Sequence, residues 1–294
     1  MEENKWLKRL LAAGGLGVTG YCLGRYVRFK RERAERLLDE TQLPKGVTPT
    51  LFLHGTYGTK YSLGRMIKRF EKAGYAERSL EIIVERNHHL VIQGNIEKLQ
   101  TVERPLVHII FKEMQPSEWQ QGEWLHQIML LLKQKLIIDD VYFVGHSMGG
   151  VAALRYLVDY GYDPKLPQIT KLVTLGSPFN GEEVSNDSMT ELDLSEKGPQ
   201  ERNATYRYLE AAQERLPKTL SFLNIYGDLG NGSRSDGTVP VDSVKAISYL
   251  LEPVIESYHE VAIYGWQGQH MLLHENSDVD DVMAEFLWPD ANKE

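Results

Sequence analysis

Short, continuous apolar runs alternate along this chain with longer segments in which apolar residues recur every three or four positions. The apolar runs lie within residues 49–56, 105–112, 141–144, 170–175, 219–226 and 259–265, and such runs are typical of strands buried on both faces. The periodic segments lie between or after them, within residues 63–73, 125–136, 151–157, 205–216 and 279–287, and predict helices. Strands that alternate with helices indicate an α/β fold, with a mostly parallel, doubly wound sheet covered by helices on both faces.

Local signals refine this outline near the N-terminal side of the sheet. Residues 80–85 and 90–93 predict an antiparallel β-hairpin. Its two adjacent histidines, His88 and His89, would point to opposite faces of a strand, which argues against a metal site there. Ser62 and Ser277 are the expected N-caps of the first and last helices, and Gly74 is expected to end the first one.

Residues 179–203 break the alternation of strands and helices. They carry seven Asp/Glu against two Lys/Arg, with few large apolar residues, so we expect an insertion that cannot fill a core position. Its place after the strand at 170–175 would suit a lid over a site at that edge of the sheet. A solvated surface loop without a gating role is the alternative.

Residues 1–36 form a separate N-terminal segment, followed by a linker over residues 37–48 and an α/β domain over 49–290. An uncharged run over residues 10–24 follows Lys5, Lys8 and Arg9 and precedes a second basic cluster. It is short for a spanning helix of about 20 residues and lacks an A-x-A cleavage site. We expect membrane association through this segment, with a cleaved signal or a flexible or amphipathic tail as alternatives. By the positive-inside rule, the more basic C-terminal flank favours a body on the cytoplasmic side. A cell-surface location is the alternative, and the side of the membrane stays open.

The charge of the chain limits the partners to be expected, and its cysteine content limits disulfide formation. The chain has 33 Lys/Arg and 41 Asp/Glu, a net charge of −8, and the basic excess of residues 1–36 leaves the remainder still more acidic. An acidic body of this kind argues against nucleic acid as a partner. The single cysteine, Cys22, excludes an intramolecular disulfide. The oligomeric state stays open.

The stretch with the strongest chemical signal is residues 141–150. An apolar strand runs into Gly145-His146-Ser147-Met148-Gly149, and a helical pattern follows. This G-x-S-x-G sequence between a strand and a helix is the context of a nucleophile elbow, in which a sharp turn exposes the serine. Glycine is needed on either side because a Cβ would clash where the two backbones approach. The N–H of Met148, at the helix N-terminus, could face a developing oxyanion.

A nucleophilic serine needs a base to take its proton and an acid that orients the base. This chain offers candidates for both after later strands, first aspartates and then histidines. Asp236 and Asp228 both follow the strand at 219–226, and an Asp-Gly turn is the alternative role for Asp236. His270 and His274 both follow the last strand. Asp236 and His270 are the favoured pair. The spacing of the loop at 227–240 does not match a calcium loop, so no metal and no cofactor are expected.

Two further histidines belong to turn motifs. His54-Gly55-Thr56 ends the first strand, and His146 precedes Ser147. For both histidines we expect hydrogen bonds to local backbone rather than proton transfer.

Taken together, His54-Gly55-Thr56, Gly145–Gly150, Ser235–Pro240 and His270-x3-His274-Glu275-Asn276 resemble the α/β-hydrolase superfamily from about residue 48 to 288. Within it they resemble a group of Gram-positive hydrolases of undefined substrate, often labelled cell-surface hydrolases. The resemblance implies Ser147 as nucleophile, Asp236 as acid, His270 as base and the N–H groups of Met148 and Thr56 as the oxyanion hole.

The implied activity is that of a serine esterase or lipase-like hydrolase acting on small-molecule or lipid-like esters. Because the segment at 179–203 is acidic, neutral short-chain esters are favoured over anionic lipids. The same residues could instead support acyl transfer or cleavage of thioesters or peptides. A membrane-tethered binding protein on an inactive hydrolase scaffold is the alternative outside the enzymes.

Overall fold

Eight strands form one sheet in the computed structural model of this chain, which describes residues 48–182 and 194–291. The strands are β1 Thr50–Leu53, β2 Glu77–Val84, β3 Leu90–Gly94, β4 Pro105–Phe111, β5 Asp140–His146, β6 Gln168–Leu175, β9 Ser221–Asp228 and β10 Ser257–Tyr264, with a separate short pair formed by β7 Leu194–Ser195 and β8 Gly198–Pro199. Their order across the sheet is β10-β9-β6-β5-β1-β4-β2-β3. All neighbouring strands are parallel except β2 and β3, which form the predicted hairpin.

Helices connect the parallel strands, as the alternating pattern predicts. They are α1 Gly64–Ala73, α2 Lys98–Thr101, α3 Glu118–Leu136, α4 Met148–Tyr160, α5 Ala204–Ala212, α6 Val241–Lys245, α7 Ser248–Leu251 and α8 Ser277–Leu287, with 3₁₀ turns at Gln213–Arg215, Trp266–Gly268 and Leu273–Glu275. The α/β architecture predicted from the sequence is therefore confirmed. The three short helices α2, α6 and α7 have no clear periodic signal and were not predicted.

Both faces of the sheet are covered. On one face, apolar side chains of α1 and α8 contact each other and the strand residues Phe52, Val144 and Ile225 in one cluster. Leu51 and Leu53 flank Phe52 in β1 and so point to the opposite face, and they are also fully buried. Burial on both faces explains why the parallel strands are continuously apolar rather than alternating.

Two predicted helix N-caps are wrong by one residue. The residue before α1 is Leu63, whose apolar side chain offers no cap. The predicted cap, Ser62, instead accepts from the Thr59 N–H through its hydroxyl at 3.0 Å. At α8 the cap is Asn276, whose side chain accepts from the Asp278 N–H at 2.9 Å. Gly74 ends α1 with a left-handed φ of 76°, as predicted.

The structure describes both ends of the 179–203 segment, and its first residue differs from the expected surface insertion. Phe179 is fully buried against Phe222, so the expectation that this segment cannot fill a core position is wrong at its first residue. Asn180 joins the two ends of the segment, since its side chain donates to the Glu201 carbonyl at 2.8 Å and accepts from the Asn203 N–H at 2.9 Å. Residues 183–193 lie outside the described residues, and a lid role stays a prediction.

The N-terminal predictions also lie outside the described part of the chain. Both the segment 1–36 and the linker up to residue 47 belong to the residues that the structure does not describe. Within residues 48–182 and 194–291, none of the helices combines the length and apolar character that a membrane crossing requires. Membrane association through residues 1–36 stays a prediction.

Candidate active site

Ser147 lies in a sharp turn between β5 and α4, at the carboxyl end of a central strand. Its backbone has φ 53° and ψ −127°, a conformation that is strained for a residue with a Cβ. The surrounding backbone fixes this turn, because the Ser147 N–H donates to the Leu175 carbonyl of β6 at 2.8 Å. A strained serine held by hydrogen bonds at a strand-to-helix turn is the geometry of a nucleophile elbow.

Close backbone approach explains the glycines around this turn. A Cβ at Gly149 would lie 2.5 Å from the Leu53 carbonyl oxygen of β1, and a Cβ at Gly145 would lie 2.5 Å from the Gly150 nitrogen. These separations are too short for any side chain. A Cβ at Gly55 would lie 2.6 Å from the Ser147 Cβ, so the turn after β1 lies directly against the serine.

His270 and Asp236 form a buried pair near the same edge of the sheet. The His270 Nδ1 is 2.7 Å from the Asp236 Oδ2, and the two residues are 5% and 1% exposed. Their backbones are also joined, since the His270 N–H donates to the Asp236 carbonyl at 2.9 Å. Because a carboxylate only accepts hydrogen bonds, the Nδ1 carries the proton and the Nε2 of a neutral His270 is left free to accept one.

The other Asp236 oxygen holds the loop that presents the carboxylate. Its Oδ1 accepts from the N–H groups of Thr238 and Val239 at 2.9 and 2.7 Å. Asp228, the competing candidate, is the last residue of β9, and its carboxylate accepts from the Gly230 N–H at 2.9 Å in its own turn. The structure therefore pairs His270 with Asp236, while Asp228 stabilises the start of the loop.

The competing histidine, His274, lies behind this pair in a 3₁₀ turn. It is 3% exposed, and its Nδ1 lies 3.5 Å from the adjacent Glu275 carboxylate. Its ring meets the His146 ring edge-on, with centroids 4.7 Å apart. Burial lowers the pKa of His274, while Glu275 raises it. His274 thus packs against His146 and contacts the adjacent Glu275, whereas Asp236 pairs with His270.

Ser147 is brought beside this pair through its neighbour. The His146 ring lies 4.7 Å from the His270 ring between centroids, and its Nε2 is 3.1 Å from the His270 carbonyl oxygen. The expectation of a bond to local backbone is therefore wrong for His146, because its partner lies 124 positions later in the chain. Within the described residues, no hydrogen bond joins the Ser147 hydroxyl to His270. Hydrogen bonds of this kind are commonly long in the absence of substrate and tighten when it binds.

The turn after β1 is fixed by His54. Its Nδ1 is 2.8 Å from the Gly55 carbonyl, and its Nε2 accepts from the Phe111 N–H of β4 at 3.1 Å. These two partners require a neutral ring with its proton on Nδ1, and burial lowers the pKa of His54, which favours the same state. The bond to Gly55 is the local backbone bond that the sequence predicts, whereas the bond to Phe111 joins the turn to a strand 57 positions later in the chain.

The two predicted oxyanion donors border the serine. Met148 is the first residue of α4, so its N–H has no acceptor within the helix. Thr56 follows Gly55 in a turn that two backbone hydrogen bonds hold. The Gly58 N–H donates to the Gly55 carbonyl at 3.0 Å, and the Tyr57 N–H donates to the Met114 carbonyl at 2.8 Å. Preformed backbone donors are what an oxyanion site requires.

Sequence reasoning missed Arg69, which joins helix α1 to the segment that follows His270. This α1 residue donates to the His274 carbonyl at 2.8 Å, and it pairs with the carboxylates of Asp280 and Glu275. Helix α1 follows the Gly55 turn, and His274 follows the catalytic candidate His270. No local signal marks Arg69, because its partners lie more than 200 positions away.

A third carboxylate lies near the His270 and Asp236 pair. Burial raises the pKa of Glu182, the neighbouring His270 opposes this rise, and Asp236 adds to it. In its ionised form, Glu182 adds negative potential near this pair, and its raised pKa favours the neutral form as the pH falls. The acidic segment that begins at Glu182 was the sequence signal for such a potential.

This sheet order, with a serine elbow after β5 and a His–Asp pair after β10 and β9, defines the class of α/β hydrolases. The chain belongs to the family described as "Alpha/beta hydrolase of unknown function" (DUF915), which matches residues 40–290. A comparison with curated proteins finds no match.

Solved structures give the same fold. The product of the gene lin2722 from Listeria innocua is 28% identical, with a TM-score of 0.76 over 83% of this chain and 94% of that one. A candidate cell surface hydrolase from Lactobacillus plantarum WCFS1 is 21% identical, with a TM-score of 0.67 over 84% and 93% of the two chains. TT1662 from Thermus thermophilus is 12% identical, with a TM-score of 0.51 over 85% and 92%.

Proposed function

We propose that this α/β hydrolase is a serine hydrolase that cleaves carboxylic esters through an acyl-enzyme. The observation that carries the proposal is the 2.7 Å hydrogen bond between His270 Nδ1 and Asp236 Oδ2, next to a serine held in a strained elbow. This bond leaves the His270 Nε2 free to accept a proton, and the His270 ring contacts His146, the residue before Ser147. A base held by an acid near a serine is the arrangement that serine acyl transfer needs.

In the proposed reaction, the Ser147 hydroxyl attacks the ester carbonyl while His270 Nε2 takes its proton. Asp236 holds the imidazole tautomer and stabilises the imidazolium that forms. The N–H groups of Met148 and Thr56 stabilise the oxyanion, with each such donor contributing about 3 kcal/mol to the transition state. His270 then gives its proton to the leaving alcohol as the bond between the carbonyl carbon and the alcohol breaks. In the second half, His270 takes a proton from water, which attacks the acyl carbonyl, and returns it to the Ser147 oxygen as the carboxylic acid product leaves.

The charge near the site favours neutral esters. Ionised Glu182 would repel an anionic acyl or alcohol group because it interacts with His270 and Asp236. We therefore propose small-molecule or lipid-like esters without negative charge as substrates. The Lactobacillus plantarum relative is described as a candidate cell surface hydrolase, and residues 1–36 have the composition of a membrane-attached segment, so we also propose attachment at a membrane.

Substitution of the serine tests this function. Ser147→Ala should lower the turnover of p-nitrophenyl butyrate by at least about 10³-fold, because the nucleophile is lost. The matched control is Ser79→Ala, since Ser79 is a buried serine of β2 whose hydroxyl has no hydrogen-bond partner within the described residues. Equal turnover by wild type and a folded Ser147→Ala variant would refute the assignment. The turnover of neutral esters, anionic esters and thioesters by the wild-type protein then shows which of these substrate classes it prefers.

A further inference from the structure

The side chain of His146 lies between the two histidines that follow β10. It is 3% exposed, and its ring centroid is 4.7 Å from that of His270 on one side and 4.7 Å from that of His274 on the other. Its Nε2 is 3.1 Å from the backbone carbonyl oxygen of His270. The residue before the candidate nucleophile therefore contacts the main chain of the candidate base.

The hydrogen-bond partner determines the state of this ring. A carbonyl oxygen only accepts, so the His146 Nε2 must carry a proton and donate it. Burial lowers the pKa of His146 well below its ordinary value, and the neighbouring His270 and His274 lower it further. The ring is therefore a neutral donor, and it adds no positive charge beside the imidazolium that His270 would form during the reaction.

This bond completes the fixation of the His270 main chain. The His270 N–H donates to the Asp236 carbonyl at 2.9 Å, and the His270 carbonyl accepts from His146. The His270 N–H is thus bonded to Asp236, the candidate acid, and the His270 carbonyl is bonded to His146, the residue before Ser147. A displacement of His270 away from Ser147 would have to break the bond to His146 or move the elbow itself.

We propose that His146 is a positioning residue that sets the distance between the His270 imidazole and the Ser147 hydroxyl through its Nε2–H to the His270 carbonyl. This inference rests on the proposed serine hydrolase function and deepens it. The reaction needs the proton acceptor within about 3 Å of the hydroxyl, and a misplacement of about 1 Å can cost 100-fold in rate. His146 therefore acts on the rate of the chemical step and not on substrate binding.

Variants that differ in one hydrogen-bond donor test this role in the full-length protein. His146→Leu and His146→Met remove the donor at similar volume, whereas the side-chain amide of His146→Gln can place an N–H near the position of Nε2. We expect the first two variants to lose about 10- to 100-fold in kcat for p-nitrophenyl butyrate, with KM within about twofold. His146→Gln should recover most of the lost kcat.

The control for a lost buried histidine is His108→Leu. His108 is fully buried in β4, and neither of its ring nitrogens has a hydrogen-bond partner within the described residues. This variant should keep the wild-type kcat. Thermal unfolding of each variant shows that the measured protein is folded.

Three results would overturn the positioning role. These are an unchanged kcat in folded His146→Leu or His146→Met, equal losses in these variants and in His146→Gln, or failure of both donor-free variants to fold, which would make the bond a requirement of the fold. Failure of the proposed function looks different, because wild type and His108→Leu would then also lack esterase activity and would not react with a fluorophosphonate probe.

Discussion

At the scale of single residues, the buried histidines differ in the partners of their ring nitrogens. His54 and His146 each hold backbone groups near the serine. His108, in contrast, is fully buried without a hydrogen-bond partner for either ring nitrogen among the described residues. Burial lowers the pKa of His108 from its ordinary 6.5 to about 3, with His54 and Arg78 adding to the effect. A buried polar group without a partner destabilises a fold by about 1–3 kcal/mol.

The sign of this pKa shift gives a pH-dependent prediction. The unfolded chain takes up a proton at His108 below pH 6.5 and the folded chain does so only near pH 3, so wild type loses stability as the pH falls through this range. His108→Leu should therefore unfold at higher urea concentration than wild type. Its gain in free energy of unfolding should be about 2 kcal/mol larger at pH 5 than at pH 7. A gain that is equal at both pH values, or a loss, would contradict the neutral buried state.

At the scale of elements, the connection from β9 to α6 decides which carboxylate can act as the acid. It contains Asp228 at the strand end and Asp236 in a turn closed by the N–H groups of Thr238 and Val239. Asp236→Asn should lower kcat for p-nitrophenyl butyrate by about 10³- to 10⁴-fold, because the amide favours the wrong tautomer of His270.

The matched change in the same connection is Asp228→Asn. The Asn side-chain oxygen can still accept from Gly230, so this variant should stay within about threefold of wild type. A larger loss from Asp228→Asn than from Asp236→Asn would reverse the assignment of the acid.

The same connection shows what the sequence could and could not predict. The elbow was predictable because its strand, glycines, serine and helix are contiguous. The choice between Asp228 and Asp236 stayed open because it depends on a loop conformation stabilised by backbone hydrogen bonds that leave no pattern in the sequence. The N-caps were misplaced by one residue because the local sequence offers competing interactions. The Ser62 hydroxyl accepts from Thr59 rather than from a helix N–H, and Asn276, a second capping residue type, stands directly before Ser277.

At the scale of the whole molecule, the strand order assembles the site. β5 lies at the centre of the sheet, and β9 and β10 lie on one side of it. Because these strands run parallel, the loops that carry Ser147, Asp236 and His270 all follow the carboxyl ends of the strands. The alternation of apolar runs and helical periods was enough to predict this layering. The contacts of Arg69 with Glu275 and Asp280 were beyond prediction, because they join helices from opposite ends of the chain.

Covalent labelling tests the central claim most directly, because it reports on the nucleophile without assuming a substrate. The folded full-length protein should react with a fluorophosphonate probe through the Ser147 oxygen, which displaces fluoride, and mass spectrometry should place the adduct on the peptide that contains Ser147. Labelling should be lost in Ser147→Ala and strongly slowed in Asp236→Asn. A folded wild-type protein that stays unlabelled, or that carries the adduct on another residue, would contradict the serine hydrolase account.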